Sequence, residues 1–229
     1  MIPTYRFPNI LRPGHDEQAQ TLLANYFKES DSEGRPAFTG AKFETLGHEW
    51  SASATKNTIT AEDLLAVSCL SVNVPAKASI GILGNDAQAI KELLEDVPDL
   101  DLALWEADDV LLASDSAIDK LWKFLRRYKG IGPTTTSKLM ARKRPNLIPI
   151  YDSVLADALG LKDSRHHWMV MRTMMLTEYA GEPLHQRLRR MVEKAELDFV
   201  TPLRAFDVIV WCAENPHLEG WRQRLGVSV

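Results

Sequence analysis

Four consecutive residues, Gly130-Ile131-Gly132-Pro133, constrain this chain more than any other feature. Two glycines one residue apart allow a backbone reversal with φ > 0, and the isoleucine between them supplies an apolar plug. Proline next to the second glycine suits the first position of a helix, where its missing N–H removes no hydrogen bond. Before the turn, Leu121, Trp122, Phe124, Leu125 and Tyr128 recur at near-helical spacing. After it, Leu139 and Met140 provide the apolar face of a second helix, which Lys143, Arg144 and Pro145 stop. A short apolar link, Leu147-Ile148-Pro149-Ile150, then leads to Asp152 at the start of a third helix. Residues 119–160 therefore read as helix, glycine hairpin, helix, link and aspartate.

Charge gives this stretch a functional meaning. Nine basic residues and no acid lie between Lys120 and Arg144, namely Lys120, Lys123, Arg126, Arg127, Lys129, Lys138, Arg142, Lys143 and Arg144. The remainder carries 18 basic against 31 acidic residues, and Asp86 to Asp119 alone holds eleven acids. A basic element on an acidic protein points to a polyanion site, since the rest of the surface repels phosphate. The first amides of the second helix, around Thr134 and Thr135, are placed to meet a phosphate oxygen with the helix dipole behind them. A solvated pair of helices whose charges serve solubility is the competing account.

Gly130-Ile131-Gly132 followed by Thr135 and Leu139, with Asp152 placed 22 residues after Gly130, resembles the helix-hairpin-helix DNA glycosylase superfamily. The resemblance covers about forty residues and implies an all-α fold, a multi-helix orthogonal bundle with the hairpin at its centre. It implies duplex DNA as partner, held through Lys129, Gly130, Ile131, Gly132, Thr134 and Thr135. The basic residues Lys138, Arg142, Lys143 and Arg144 extend that set. It also implies a catalytic role for Asp152, and a monovalent cation on the hairpin carbonyls as a possible cofactor. Three departures stand out: Lys129 replaces the usual proline, Thr136 the usual alanine, and Thr134 the Schiff-base lysine of the glycosylase-lyases. Attack on the sugar would then fall to water, so a monofunctional hydrolase is expected and a lyase is not. Along most of the chain, FTGAKFE, AVSCLSVNVP and KLMARKRPNLIPIYD resemble an actinobacterial family of unknown function, which carries no activity with it.

Asp152 has a chemical and a structural account. A fixed carboxylate can stabilise oxocarbenium-like charge or deprotonate water during N-glycosidic cleavage. Aspartate at a helix start is equally a favoured N-cap, and the two roles are compatible. Base extrusion would need a wedge side chain, for which Tyr5, Phe38 and Trp50 are the candidates. A non-catalytic DNA-binding module, or a basic hairpin that docks an acidic protein, fits the same charges. DNA and RNA are not distinguished.

Elsewhere the chain reads as helices. At 229 residues, with 45% apolar content, it can form one compact domain or two helical lobes. Apolar stripes mark helices over 16–29, 60–73, 76–83, 86–95, 164–179, 182–195 and from Thr201-Pro202 onward. Residues 60–73 look apolar nearly all round, hence buried. The segment 36–50 allows a small β-hairpin turning at Thr39-Gly40. Arg187, Arg189, Arg190 and Lys194 form a second basic group. Cys69 and Cys212 read as buried thiols, and His166, His167 and His185 as surface residues, so no metal site is expected. No membrane span or signal pattern is present, which suggests a cytoplasmic protein; nothing sets its oligomeric state.

Overall fold

The computed structural model describes residues 4–47, 54–98, 101–179 and 181–228. The chain divides into two compact units, a terminal unit of residues 1–38 with 151–229 and a central unit of residues 39–150. The terminal unit holds α1 (Asp16–Lys28). The central unit holds α2 (Ala61–Ser68), α3 (Ala76–Ile80), α4 (Ala87–Asp96), α5 (Ala117–Arg126) and α6 (Pro133–Lys143). The terminal unit resumes with α7 (Ser153–Leu159), α8 (His167–Leu176), α9 (Leu184–Lys194), α10 (Pro202–Glu214) and α11 (Glu219–Arg224). Two short strands, β1 (Glu178–Tyr179) and β2 (Glu182–Pro183), pair antiparallel between α8 and α9. The described residues are thus mostly helical, with one small ribbon.

In the terminal unit α10 is the organising helix. Thr201 caps it by accepting the Arg204 amide at 3.2 Å, Pro202 takes the first position, and almost every residue to Ala213 is buried. A helix apolar on all sides needs neighbours on all sides, and α1, α7 and α9 pack around it. Ala19, Leu22, Leu23 and Tyr26 form the buried stripe of α1. Tyr26 stacks on Phe38 with ring centroids 4.9 Å apart, and Trp221 meets Phe38 edge-on while donating its indole N–H to Glu29 at 2.6 Å.

In the central unit α6 packs against α2 and α5, and α5 also packs against α4. A capping box opens α2: the Thr60 hydroxyl accepts the Asp63 amide, and the Asp63 carboxylate accepts the Thr60 amide at 2.9 Å. Two expectations need correction here. Residues 60–73 are not buried all round, because α2 ends at Ser68 and Leu65 lies on its exposed side. Residues 39–42 are a 3-10 turn rather than a β-hairpin, since the Thr39 hydroxyl donates to the Cys69 carbonyl at 2.8 Å and Ala41 and Phe43 turn inward. An isolated two-stranded hairpin gains little in water, whereas the turn buries two apolar side chains. Residues 48–50 of that segment lie outside the described residues. Cys212 is buried, but Cys69 is only half-buried; burial raises both thiols above the ordinary range. None of the described helices is long and apolar enough to cross a membrane.

Candidate nucleic-acid interface

The turn between α5 and α6 is built by one glycine rather than two. Gly130 takes φ +90°, a conformation that strains any residue with a Cβ, and a Cβ there would lie 2.7 Å from Pro75 Cγ. Gly132 is extended at φ −90°, and a Cβ on it would meet nothing within 4 Å. Of the two glycines free to take positive φ, only Gly130 does. Ile131 is the buried plug, and its amide donates to the Tyr128 carbonyl at 3.0 Å, closing the turn. That amide is therefore unavailable to a ligand.

Gly132 is the N-cap of α6 and has no side chain to cap it. Among the described residues nothing accepts the amides of Gly132, Thr134 or Thr135; Gly132 and Thr134 are half-buried and Thr135 is buried. Such orphan donors at a helix start, with the positive end of the dipole, favour an anion. The Thr136 hydroxyl donates to the Gly132 carbonyl at 2.9 Å and the Ser137 hydroxyl to the Thr134 carbonyl at 2.9 Å, which stiffens this first turn.

The nine cations separate into two sets. Lys138, Arg142, Lys143 and Arg144 are buried, which corrects their assignment as phosphate contacts. Lys138 donates to the Leu70 carbonyl at 2.7 Å. Arg142 pairs with buried Asp63 at 3.1 Å and donates to the carbonyls of Phe43, Glu44 and Leu46. Lys143 meets Asp63 at 2.5 Å and the Thr55 carbonyl at 3.0 Å, and burial holds its ammonium below the usual lysine range despite that carboxylate. Arg144 donates to the carbonyls of Lys56 and Leu94 and to the Asn57 side chain. These four tie non-helical segments to the end of α6, supplying donors for backbone acceptors that burial would otherwise strand.

Lys120, Lys123, Arg126, Arg127 and Lys129 are all exposed. Lys123 is held by Asp115 and Asp119 at 2.9 and 2.8 Å. Arg127 meets Asp86 at 2.8 Å and lies 3.5 Å over the Phe124 ring. Asp86 occupies the N-cap position of α4 without capping it; its carboxylate instead accepts from the Tyr128 hydroxyl and from Arg127. These two partners, the hydroxyl first, hold Asp86 below the usual carboxylate range. The brace fixes the last residues before the turn. Lys120, Arg126 and Lys129 remain as exposed cations in no close ion pair among the described residues, although Lys120 lies near enough to Asp115 to help hold its carboxyl down. Lys120 and Arg126 do not belong to the glycine motif. Their signal is the buried line Ile118, Leu121 and Leu125, which leaves them on other faces of α5.

Asp152 belongs to the terminal unit, while the turn belongs to the central one. Asp152 caps α7, its Oδ1 accepting the Leu155 amide at 2.9 Å, and its second oxygen accepts nothing from the described residues. Beside it, burial and the carboxylates of Asp163, Asp157 and Asp152 push the Tyr151 hydroxyl up. Of the wedge candidates, Phe38 is locked in the aromatic cluster with Tyr26 and Trp221, Tyr5 is half-buried, and Trp50 lies outside the described residues. His167 is buried rather than superficial, edge-on to Tyr151 at 5.2 Å, and His185 is half-buried. Among the described residues no three His, Cys, Asp or Glu side chains group to hold a metal ion. The second basic group is divided: Arg187 is buried against Asp16 and the Leu11 carbonyl and Arg190 pairs with Glu182, while Arg189 and Lys194 stay exposed.

No curated protein and no solved structure matches this chain. One family model matches residues 19–214, spanning α2 to α10 whole, the glycine turn and Asp152. The chain belongs to the family of unknown function DUF6308.

Proposed function

We propose that this chain binds the sugar–phosphate backbone of duplex DNA through the turn between α5 and α6. The observation that carries the reading is the set of unaccepted amides at Gly132, Thr134 and Thr135, in the turn that follows exposed Lys129. Oriented amides plus a few mobile cations contact phosphate without reading bases, so binding would be weakly sequence-dependent and steeply salt-dependent. The resemblance of Gly130-Ile131-Gly132 to the helix-hairpin-helix of DNA glycosylases supports the same partner.

A second reading adds base release by Asp152, supported by a carboxylate fixed through one oxygen with the other left open. The fixed oxygen sets the orientation; the other would face positive charge on the sugar or take a proton from water. Thr134 cannot form a Schiff base, so the reaction would be hydrolysis without strand cleavage.

Gly132→Ser tests the binding reading. The backbone there suits serine, and its hydroxyl would accept the Thr135 amide as an N-cap, raising stability by about 0.3 kcal/mol, since glycine is itself a tolerated N-cap. The same hydroxyl would occupy the donor that phosphate needs, so duplex affinity should fall while the melting temperature rises. Unchanged affinity in a stabilised variant would remove these amides from the interface. Asp152→Asn retains the cap and should abolish base release from damaged or mismatched duplexes while leaving duplex affinity intact. Equal base release by that variant would end the catalytic reading.

A further inference from the structure

Two carboxylates hold Lys123, and they are themselves held very differently. Asp119, 18% exposed, stands in the first turn of α5, where the Ser116 hydroxyl caps its amide. Its Oδ2 accepts both the Asp115 amide and the Lys123 ammonium at 2.8 Å. Asp115, 80% exposed, lies just before that cap at φ +63°, a left-handed conformation that aspartate and asparagine tolerate better than most side chains. Its backbone is fixed through the amide. Its carboxylate has one close partner among the described residues, the Lys123 ammonium at 2.9 Å. Lys123 first, and Lys120 more weakly, hold that carboxyl below the ordinary range.

The side of α5 that carries this group is open. Ile118, Leu121 and Leu125 are its buried line, and Lys120, Lys123 and Arg127, three and four residues apart, lie on the side away from it. Lys123 stands about 10 Å of chain rise before Gly130, a separation close to the Debye length at 0.1 M salt. Duplex DNA carries one charge per about 1.7 Å of its axis, so a duplex seated at the turn brings several phosphates within that distance. Arg127 has a carboxylate too, but Asp86 is 29% exposed and is braced by the Tyr128 hydroxyl as well. Exchange of that pair would undo the brace before the turn. Exchange of the Asp115 pair undoes nothing else, because Asp119 keeps the Asp115 amide.

We propose that the Asp115 carboxylate is an internal stand-in for phosphate: it occupies Lys123 in the free protein and yields to a phosphate of the bound duplex. The proposal rests on the binding reading above and names what restrains it. A carboxylate oxygen and a phosphate oxygen accept the same charge-assisted hydrogen bond from an ammonium. An exposed ion pair is weak enough to be exchanged, and while it lasts it lowers the attraction of the helix for any passing polyanion. The competing account makes Asp115 only an acid that favours the positive end of the α5 dipole. That account ties Asp115 to stability and gives Lys123 no part in duplex affinity.

The test uses the full chain and a labelled duplex, with affinity read by fluorescence anisotropy. Asp115→Asn keeps a side chain suited to the left-handed backbone and should bind about two- to fivefold tighter than wild type at 0.1 M salt. Asp108→Asn makes the same charge change at an exposed acid that no cation pairs among the described residues, and should gain less than half as much on a logarithmic scale. In a Lys123→Gln background, Asp115→Asn should gain no more than Asp108→Asn does. No binding by wild type and Asp115→Asn alike would overturn the binding reading and this proposal with it. Duplex binding in which the two asparagine variants gain equally would overturn the stand-in alone. So would an Asp115→Asn gain that persists in full without Lys123.

Discussion

The two helices flanking the glycine turn carry similar charge and use it in opposite ways. On α5 and the turn, Lys120, Arg126 and Lys129 reach solvent in no close ion pair among the described residues. On α6 and just beyond it, Lys138, Arg142, Lys143 and Arg144 turn inward to Asp63, Asn57 and a series of main-chain carbonyls. The difference follows from which face each helix buries. α5 buries one line, Ile118, Leu121 and Leu125, and leaves its cations outside. α6 is buried from Thr135 to Lys143, so its cations have no route to water and need acceptors. A run of basic residues is therefore not one electrostatic surface, and only its first half can meet a phosphate.

The largest expected effect lies on the buried side. Arg142→Ala should cost about 3–5 kcal/mol in denaturant unfolding, because it leaves Asp63 and three carbonyls buried with fewer donors. A variant with unchanged stability and weakened duplex affinity would reverse the comparison. Next in size is the exposed side. Replacing Lys120, Arg126 and Lys129 together by glutamine should change stability by no more than about 0.5 kcal/mol per site. It should also flatten the slope of log affinity against log salt by about 0.9 for each phosphate that is no longer neutralised. A slope equal to that of wild type would place the polyanion elsewhere.

The smallest effect concerns the brace beside the turn. Asp86 has its folded pKa depressed by Tyr128 and Arg127, so its contribution is present above the unfolded value of about 3.9. It is lost as pH falls through the lower folded value. The melting-temperature difference between wild type and Asp86→Asn should therefore hold from pH 7 to 5 and shrink below about pH 4. A difference independent of pH would mean that the carboxylate charge is not what holds Arg127.

Several features of the fold are legible along the chain because their causes are local. The capping box of Thr60 and Asp63, the Thr201-Pro202 start of α10 and the plug at Ile131 each depend on residues within a few positions. The reversal at Gly130 is local in the same way. The candidate site is legible only in part. That Gly130 also needs to lack a Cβ because Pro75 lies against it depends on a residue fifty-five positions away. The 3-10 turn at Thr39–Lys42 depends on a hydroxyl reaching the Cys69 carbonyl thirty residues away. The stretch 119–160, continuous on paper, is divided between two units after Ile150.

By itself, then, the sequence determined the helices, their caps and the position of the glycine turn, because hydrogen bonds and apolar periodicity within a few residues set them. Only the tertiary structure decided which cations are surface and which are interior. Burial of a charge depends on acceptors brought from distant segments, and neither the spacing of lysines and arginines nor their number encodes where Asp63 or the carbonyls of residues 43–57 will lie.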